Sequence, residues 1–110
     1  MYGKSRRKLL YFSKVRCRSN LIRVHLTITG KVQGVGYRNN AKRRADLLGI
    51  RGWVKNLSDG NVEIIAQGSE RGVEEFITWC KKGALFAKVE NVDVEREELA
   101  GDFWDFKIIR

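Results

Sequence analysis

Residues 30–38 read Gly30-Lys31-Val32-Gln33-Gly34-Val35-Gly36-Tyr37-Arg38, and they separate two unlike patterns. Before them, Val24, Leu26 and Ile28 alternate with His25, Thr27 and Thr29. A β-branched period of two over residues 22–29 predicts a strand. After them, Tyr37, Ala41, Ala45 and Leu48 recur at helical spacing while Lys42, Arg43 and Asp46 fall elsewhere on the wheel. That spacing predicts a helix over 37–48, with Gly49 suited to its C-terminal cap. Glycines at 30, 34 and 36 tolerate positive φ and let backbone approach a ligand closely, so the junction itself is a candidate site. His25, the single histidine, falls on the more polar strand face and reads as a surface residue.

Working outward, residues 51–56 predict a second strand with Trp53 and Val54 as core candidates. Asp59-Gly60 is a strong hairpin signal, and Val62–Ala66 is the returning strand. Ser69 suits a helix N-cap with Glu70 in the first turn, and Val73, Phe76, Ile77, Cys80 and Ala84 form an apolar stripe near a terminating Gly83. Residues 88–97 and 103–109 complete the set as strands. The order β-α-β-β-α-β with an extra terminal strand is α+β. It predicts a ferredoxin-like split βαβ sandwich, an antiparallel sheet with two helices on one face. Such a fold hosts many unrelated activities, so function must come from the site.

A chain of 110 residues is enough for one domain with its own core. The net charge of +9 is unevenly placed. Residues 1–23 hold eight Lys and Arg and no acid, while the remainder has 14 Lys/Arg against 13 Asp/Glu. The expected division is therefore a basic segment over 1–21 and a nearly neutral domain over 22–110. A neutral domain does not by composition announce a nucleic-acid binder, although contact through the basic segment stays open. No apolar run has the length of a membrane span, and no membrane partner is expected. Cys17 and Cys80 belong to no CxxC pair, so no metal site is signalled; they read as two free thiols in the cytoplasm.

The backbone N–H groups from Gln33 to Arg38, beside a helix N-terminus, can curl around an anion. The Arg38 guanidinium stands where it can grip two phosphate oxygens. Asn56 ends the second strand, and its carboxamide can hold a water in line with a bound phosphorus. The plainer reading of these residues is a strand-to-helix turn and a turn-supporting asparagine.

Together, Gly30–Arg38 and the second stretch Gly52-Trp53-Val54-Lys55-Asn56, followed by Asp59-Gly60-Asn61-Val62-Glu63, resemble the two signature segments of the acylphosphatase family. The resemblance spans about residues 22–110 in family order. It implies metal-independent hydrolysis of an acyl phosphate to a carboxylate and inorganic phosphate, with phosphate as product or inhibitor and no cofactor. It implies catalytic roles for Arg38, which binds the substrate phosphate, and Asn56, which orients the attacking water. The cradling loop would be Gln33, Gly34, Val35, Gly36, Tyr37 and Arg38. Tyr37 stands where the family often has phenylalanine, a departure expected to affect packing. The competing class is a small nucleic-acid-binding or anion-sensing module on the same fold.

Overall fold

The computed structural model describes residues 21–110; the basic stretch 1–20, Cys17 included, lies outside the described residues. The elements run β1 (Leu21–Lys31), α1 (Tyr37–Leu48), β2 (Arg51–Asn56), β3 (Val62–Ser69), α2 (Glu70–Lys82), β4 (Lys88–Glu97) and β5 (Phe106–Ile109). The strands form one sheet in the order β4-β1-β3-β2-β5. This is the ferredoxin-like α+β arrangement expected from the pattern.

The alternation in β1 explains its placement. Val24, Leu26 and Ile28 are buried and pair with Ala66, Ile64 and Val62 of β3, which also point into the core. β2 adds Val54 opposite Ile64, and β5 adds the buried Phe106 beside Gly52. α1 lies over β2 and β5, and α2 over β1, β3 and β4, with the two helices touching each other. Ala41 and Ala45 let α1 come close to the sheet, while Val73, Phe76 and Cys80 are the buried face of α2. Phe76 meets the Phe106 ring edge-on at 5.8 Å, a favoured aromatic geometry.

The opposite sheet face is polar. His25 Nε2 lies 2.6 Å from Glu63 Oε2, and the Lys55 ammonium sits 5.4 Å from the Trp53 ring centre. Trp53 therefore belongs to this outer face, not to the core. It neighbours the buried Val54, and a strand turns successive residues to opposite sides.

The sheet is mixed where an antiparallel one was expected: β5 runs parallel to β2, pairing Gly52 with Phe106 and Val54 with Ile108. The cause is topological. β4 ends at the end of the sheet where β2 begins, so a chain crossing along that end lays β5 down in the direction of β2. β5 also begins at Phe106, not at 103, because Phe103 is used otherwise. Its ring lies 4.7 Å beneath the Arg23 guanidinium. α2 stops at Lys82 with Gly83 as cap, so Ala84 falls outside the stripe.

Candidate active site

The C-terminal ends of β1 and β2, the start of β3, the N-terminus of α1 and the C-terminus of α2 meet at one end of the domain. β1 gives way there to a short loop, and Gly34 and Gly36 both take left-handed backbone, with φ of 74° and 78°. Gly36 is the residue that caps α1, and no side chain caps that helix end. A residue with a Cβ is strained in this region, which is why glycine occupies both turns of the loop.

A small cavity of about 130 Å³ opens here, lined by Val32, Gly34, Gly36, Tyr37, Arg38, Asn39 and Asn56. Its size is below the several hundred Å³ usual for drug-sized ligands and suits a small anion with a water. The two residues singled out from sequence, Arg38 and Asn56, come from elements far apart in the chain and share this one cavity.

The electrostatics are one-sided. Arg38 is the second residue of α1, and Asn39 and Asn40 follow it, so the first turn holds a cation and no acid. A cation at a helix N-terminus opposes the helix dipole by about 0.3–1 kcal/mol. Among the described residues the Arg38 side chain makes no ion pair and no hydrogen bond. Asn56 is placed as the last residue of β2, and its Oδ1 is buried with no donor among the described residues. A buried acceptor without a donor costs about 1–3 kcal/mol. Both features cost the folded chain stability.

Tyr37 is almost wholly buried, and its hydroxyl donates to the Cys80 carbonyl at 2.8 Å. Burial raises the phenol well above its ordinary range, so it stays protonated as a donor. Its ring stacks at a tilt on Trp79, 5.3 Å between centres. The hydroxyl thus ties the start of α1 to the end of α2. Cys80 is a free thiol in the core, pushed up to about 12 by burial.

Gln33 and Val35 do not line the cavity. The Gln33 side chain instead reaches across to the β2–β3 hairpin, where Nε2 donates to Leu57 O at 2.7 Å and to Asn61 O at 2.8 Å. The hairpin is closed by Leu57 N–H donating to Asn61 O at 2.8 Å, and Asp59 Oδ1 accepts from Asn61 N–H at 3.0 Å. Gln33 therefore fastens the loop beside Arg38 to the segment that carries Asn56. Val32 and Asn39 are lining residues that the sequence did not single out. Asn39 could have been found as the neighbour of Arg38 in the first helical turn.

The fold and the cavity together define a ferredoxin-like domain whose glycine-bearing strand-to-helix loop borders a small cavity. Comparison with known proteins then narrows this class. A model of the acylphosphatase family matches residues 24–108. An acylphosphatase of Methylococcus capsulatus (strain ATCC 33009 / NCIMB 11132 / Bath) is 43% identical over 88 residues, covering 80% of this chain and 96% of that protein. One from Acaryochloris marina (strain MBIC 11017) is 47% identical over 91 residues, covering 83% and 97%. The crystal structure of acylphosphatase from Bacillus subtilis superposes with a TM-score of 0.79 at 35% identity, covering 81% of this chain and 99% of that one. The chain belongs to the acylphosphatase family.

Proposed function

We propose that the cavity hydrolyses an acyl phosphate by direct attack of water on phosphorus, with Arg38 and the 33–38 loop holding the phosphoryl group and Asn56 orienting the water. Membership of the family makes the chain a hydrolase of carboxylic–phosphoric anhydrides. The assignment of roles within it is carried by one observation. The donorless buried oxygen of Asn56 belongs to a residue that shares a small cavity with Arg38 and the α1 N-terminus.

In this reading the phosphoryl oxygens replace solvent on the loop N–H groups and on the Arg38 fork. Water donates one hydrogen to Asn56 Oδ1, which directs an oxygen lone pair at phosphorus. The water oxygen forms the new P–O bond, and the bond between phosphorus and the acyl oxygen breaks. The carboxylate leaves with the bonding pair, and the water proton passes to a phosphate oxygen of the substrate. The products are a carboxylate and inorganic phosphate. A carboxylate is already a good leaving group, so positioning and charge neutralisation supply the acceleration. These steps call only on the substrate, one water and the residues named. Inorganic phosphate, as product, competes for the same cradle.

The proposal places the reaction in the cytoplasm, in keeping with the free thiol of Cys80, and no described helix is long and apolar enough to cross a membrane. It keeps residues 1–21 as a basic segment apart from a catalytic domain over 22–110, in keeping with a family match that begins at residue 24. The test is hydrolysis of benzoyl phosphate in EDTA by the full chain and by Asn56→Ala. Turnover that survives EDTA and falls about 10²–10³-fold in Asn56→Ala, with inorganic phosphate still competing, is expected. Loss of phosphate binding in that variant would make Asn56 a phosphate ligand or a structural residue.

A further inference from the structure

Residues 83–87 join α2 to β4 at the cavity end of the domain. They form a β-turn closed by Ala87 N–H donating to Ala84 O at 3.0 Å. Its two central residues are Leu85 and Phe86, exposed by 88% and 76%. Turn centres favour Gly, Pro, Asn, Asp and Ser, so two large apolar side chains at such a tip break the local rule without a folding gain.

Their position is specific. A Cβ on Gly83, at the base of the turn, would stand 3.5 Å from the ring of Tyr37, which lines the cavity. Lys88, just past the turn, pairs with Lys31, and Val32 after it is another lining residue. Among the described residues the other strongly exposed apolar side chains are Leu47, in the last turn of α1, and Leu99 and Trp104, between β4 and β5, all toward the far end of the sheet. Among the described residues, the 85–86 tip is the strongly exposed apolar pair whose flanking residues, Gly83 and Lys88, neighbour Tyr37 and the strand end that leads into Val32.

The substrate supplies the reason for an apolar surface there. A cavity of about 130 Å³, lined largely by backbone and polar groups, holds the phosphoryl end. The acyl group must then leave by the mouth and lie on the surrounding surface. We propose that Leu85 and Phe86 form an acyl-group subsite, and that the chain prefers acyl phosphates whose acyl group is apolar, aromatic or branched aliphatic. This inference rests on the catalytic reading above and adds the substrate class. Lys31, Lys81, Lys82 and Lys88 carry positive charge at the same end, which draws a dianionic substrate toward the turn before it docks.

The test compares benzoyl phosphate with acetyl phosphate in the wild type, in the double variant Leu85→Ser/Phe86→Ser and in Phe86→Leu, with inhibition by inorganic phosphate measured alongside. Loss of roughly 50 Å² of apolar contact corresponds to about a tenfold weaker KM for benzoyl phosphate. The expected result is that rise in the double variant, with kcat, the acetyl phosphate KM and phosphate inhibition unchanged, and near-wild-type behaviour in Phe86→Leu. Unchanged acetyl phosphate kinetics also report that the variant is folded. Equal change for both substrates, or no change for either, overturns the subsite. So does sedimentation with anionic lipid vesicles that the double variant loses while its kinetics stay wild-type, which would make the tip a membrane contact. Wild-type protein that hydrolyses neither substrate fails the catalytic reading itself, a result distinct from a lost benzoyl preference.

Discussion

Replacing Gln33 tests whether catalysis depends on the side-chain clamp between the loop and the hairpin. The side chain donates two hydrogen bonds, 2.7 and 2.8 Å long, from the loop beside Arg38 to the hairpin beside Asn56. Each such bond is worth about 1 kcal/mol net, so Gln33→Ala is expected to lose about 2 kcal/mol of stability. For a domain of this size that is a drop of about 10 °C in Tm. Gln33→Glu is expected to do more harm at nearly equal volume, because an ionised carboxylate accepts only and would face two carbonyl oxygens. The catalytic effect should be larger in kcat than in binding. Releasing the hairpin loosens Asn56, while Arg38 and the α1 N-terminus still hold phosphate. About a tenfold or greater fall in kcat is expected, from loss of water orientation alone. Benzoyl phosphate kinetics, phosphate inhibition and thermal melts on the same samples separate these effects. Wild-type kcat in a Gln33→Ala protein that melts about 10 °C lower would show that the bonds stabilise the domain without positioning Asn56. An unchanged Tm would show that the bonds do not matter in solution.

Other expectations follow from the same geometry. Arg38→Lys keeps the charge and loses the planar fork, so kcat/KM should fall about 10²–10³-fold; near-normal kinetics would remove Arg38 from its role. Tyr37→Phe deletes the bond to the Cys80 carbonyl and should cost about 1–2 kcal/mol in a denaturant titration with little change in kcat. A large loss of kcat would instead give the hydroxyl a part in catalysis. Cys80 has its pKa raised by burial from 9.0 to about 12, so above pH 9 the unfolded chain gives up a proton that the folded chain keeps. Its contribution is therefore complete below pH 9 and is lost as pH climbs toward about 12, and Cys80→Ala should flatten the alkaline fall in stability. In a Cys17→Ser background, Cys80 should resist thiol reagents until the protein is unfolded; rapid labelling of native protein would contradict its burial.

The sequence by itself determined the elements, their order and the two stretches that make the cavity. Period-two alternation in Val24–Ile28 and the helical spacing of Tyr37, Ala41 and Ala45 are local signals, written in side-chain polarity and independent of any partner. Gly34 and Gly36 were legible for the same reason, since a left-handed turn restricts the residue type wherever the chain goes next. What depends on which segments meet needed the tertiary structure. The direction of β5 is set by the end of the sheet from which the chain arrives, and its own residues do not encode it. Trp53 and Val54 look alike as apolar strand residues, and only the sheet decides which of them faces the helices. Gln33 sits inside the loop motif, where its backbone is expected in the cradle, and the sequence assigns its side chain no task. Its amide turned out to span to Leu57 and Asn61, a contact across 24 and 28 residues that no local pattern foretells. The setting of the exposed Leu85–Phe86 tip was likewise invisible, because Gly83 at its base meets Tyr37, nearly fifty residues away in sequence and adjacent only after folding.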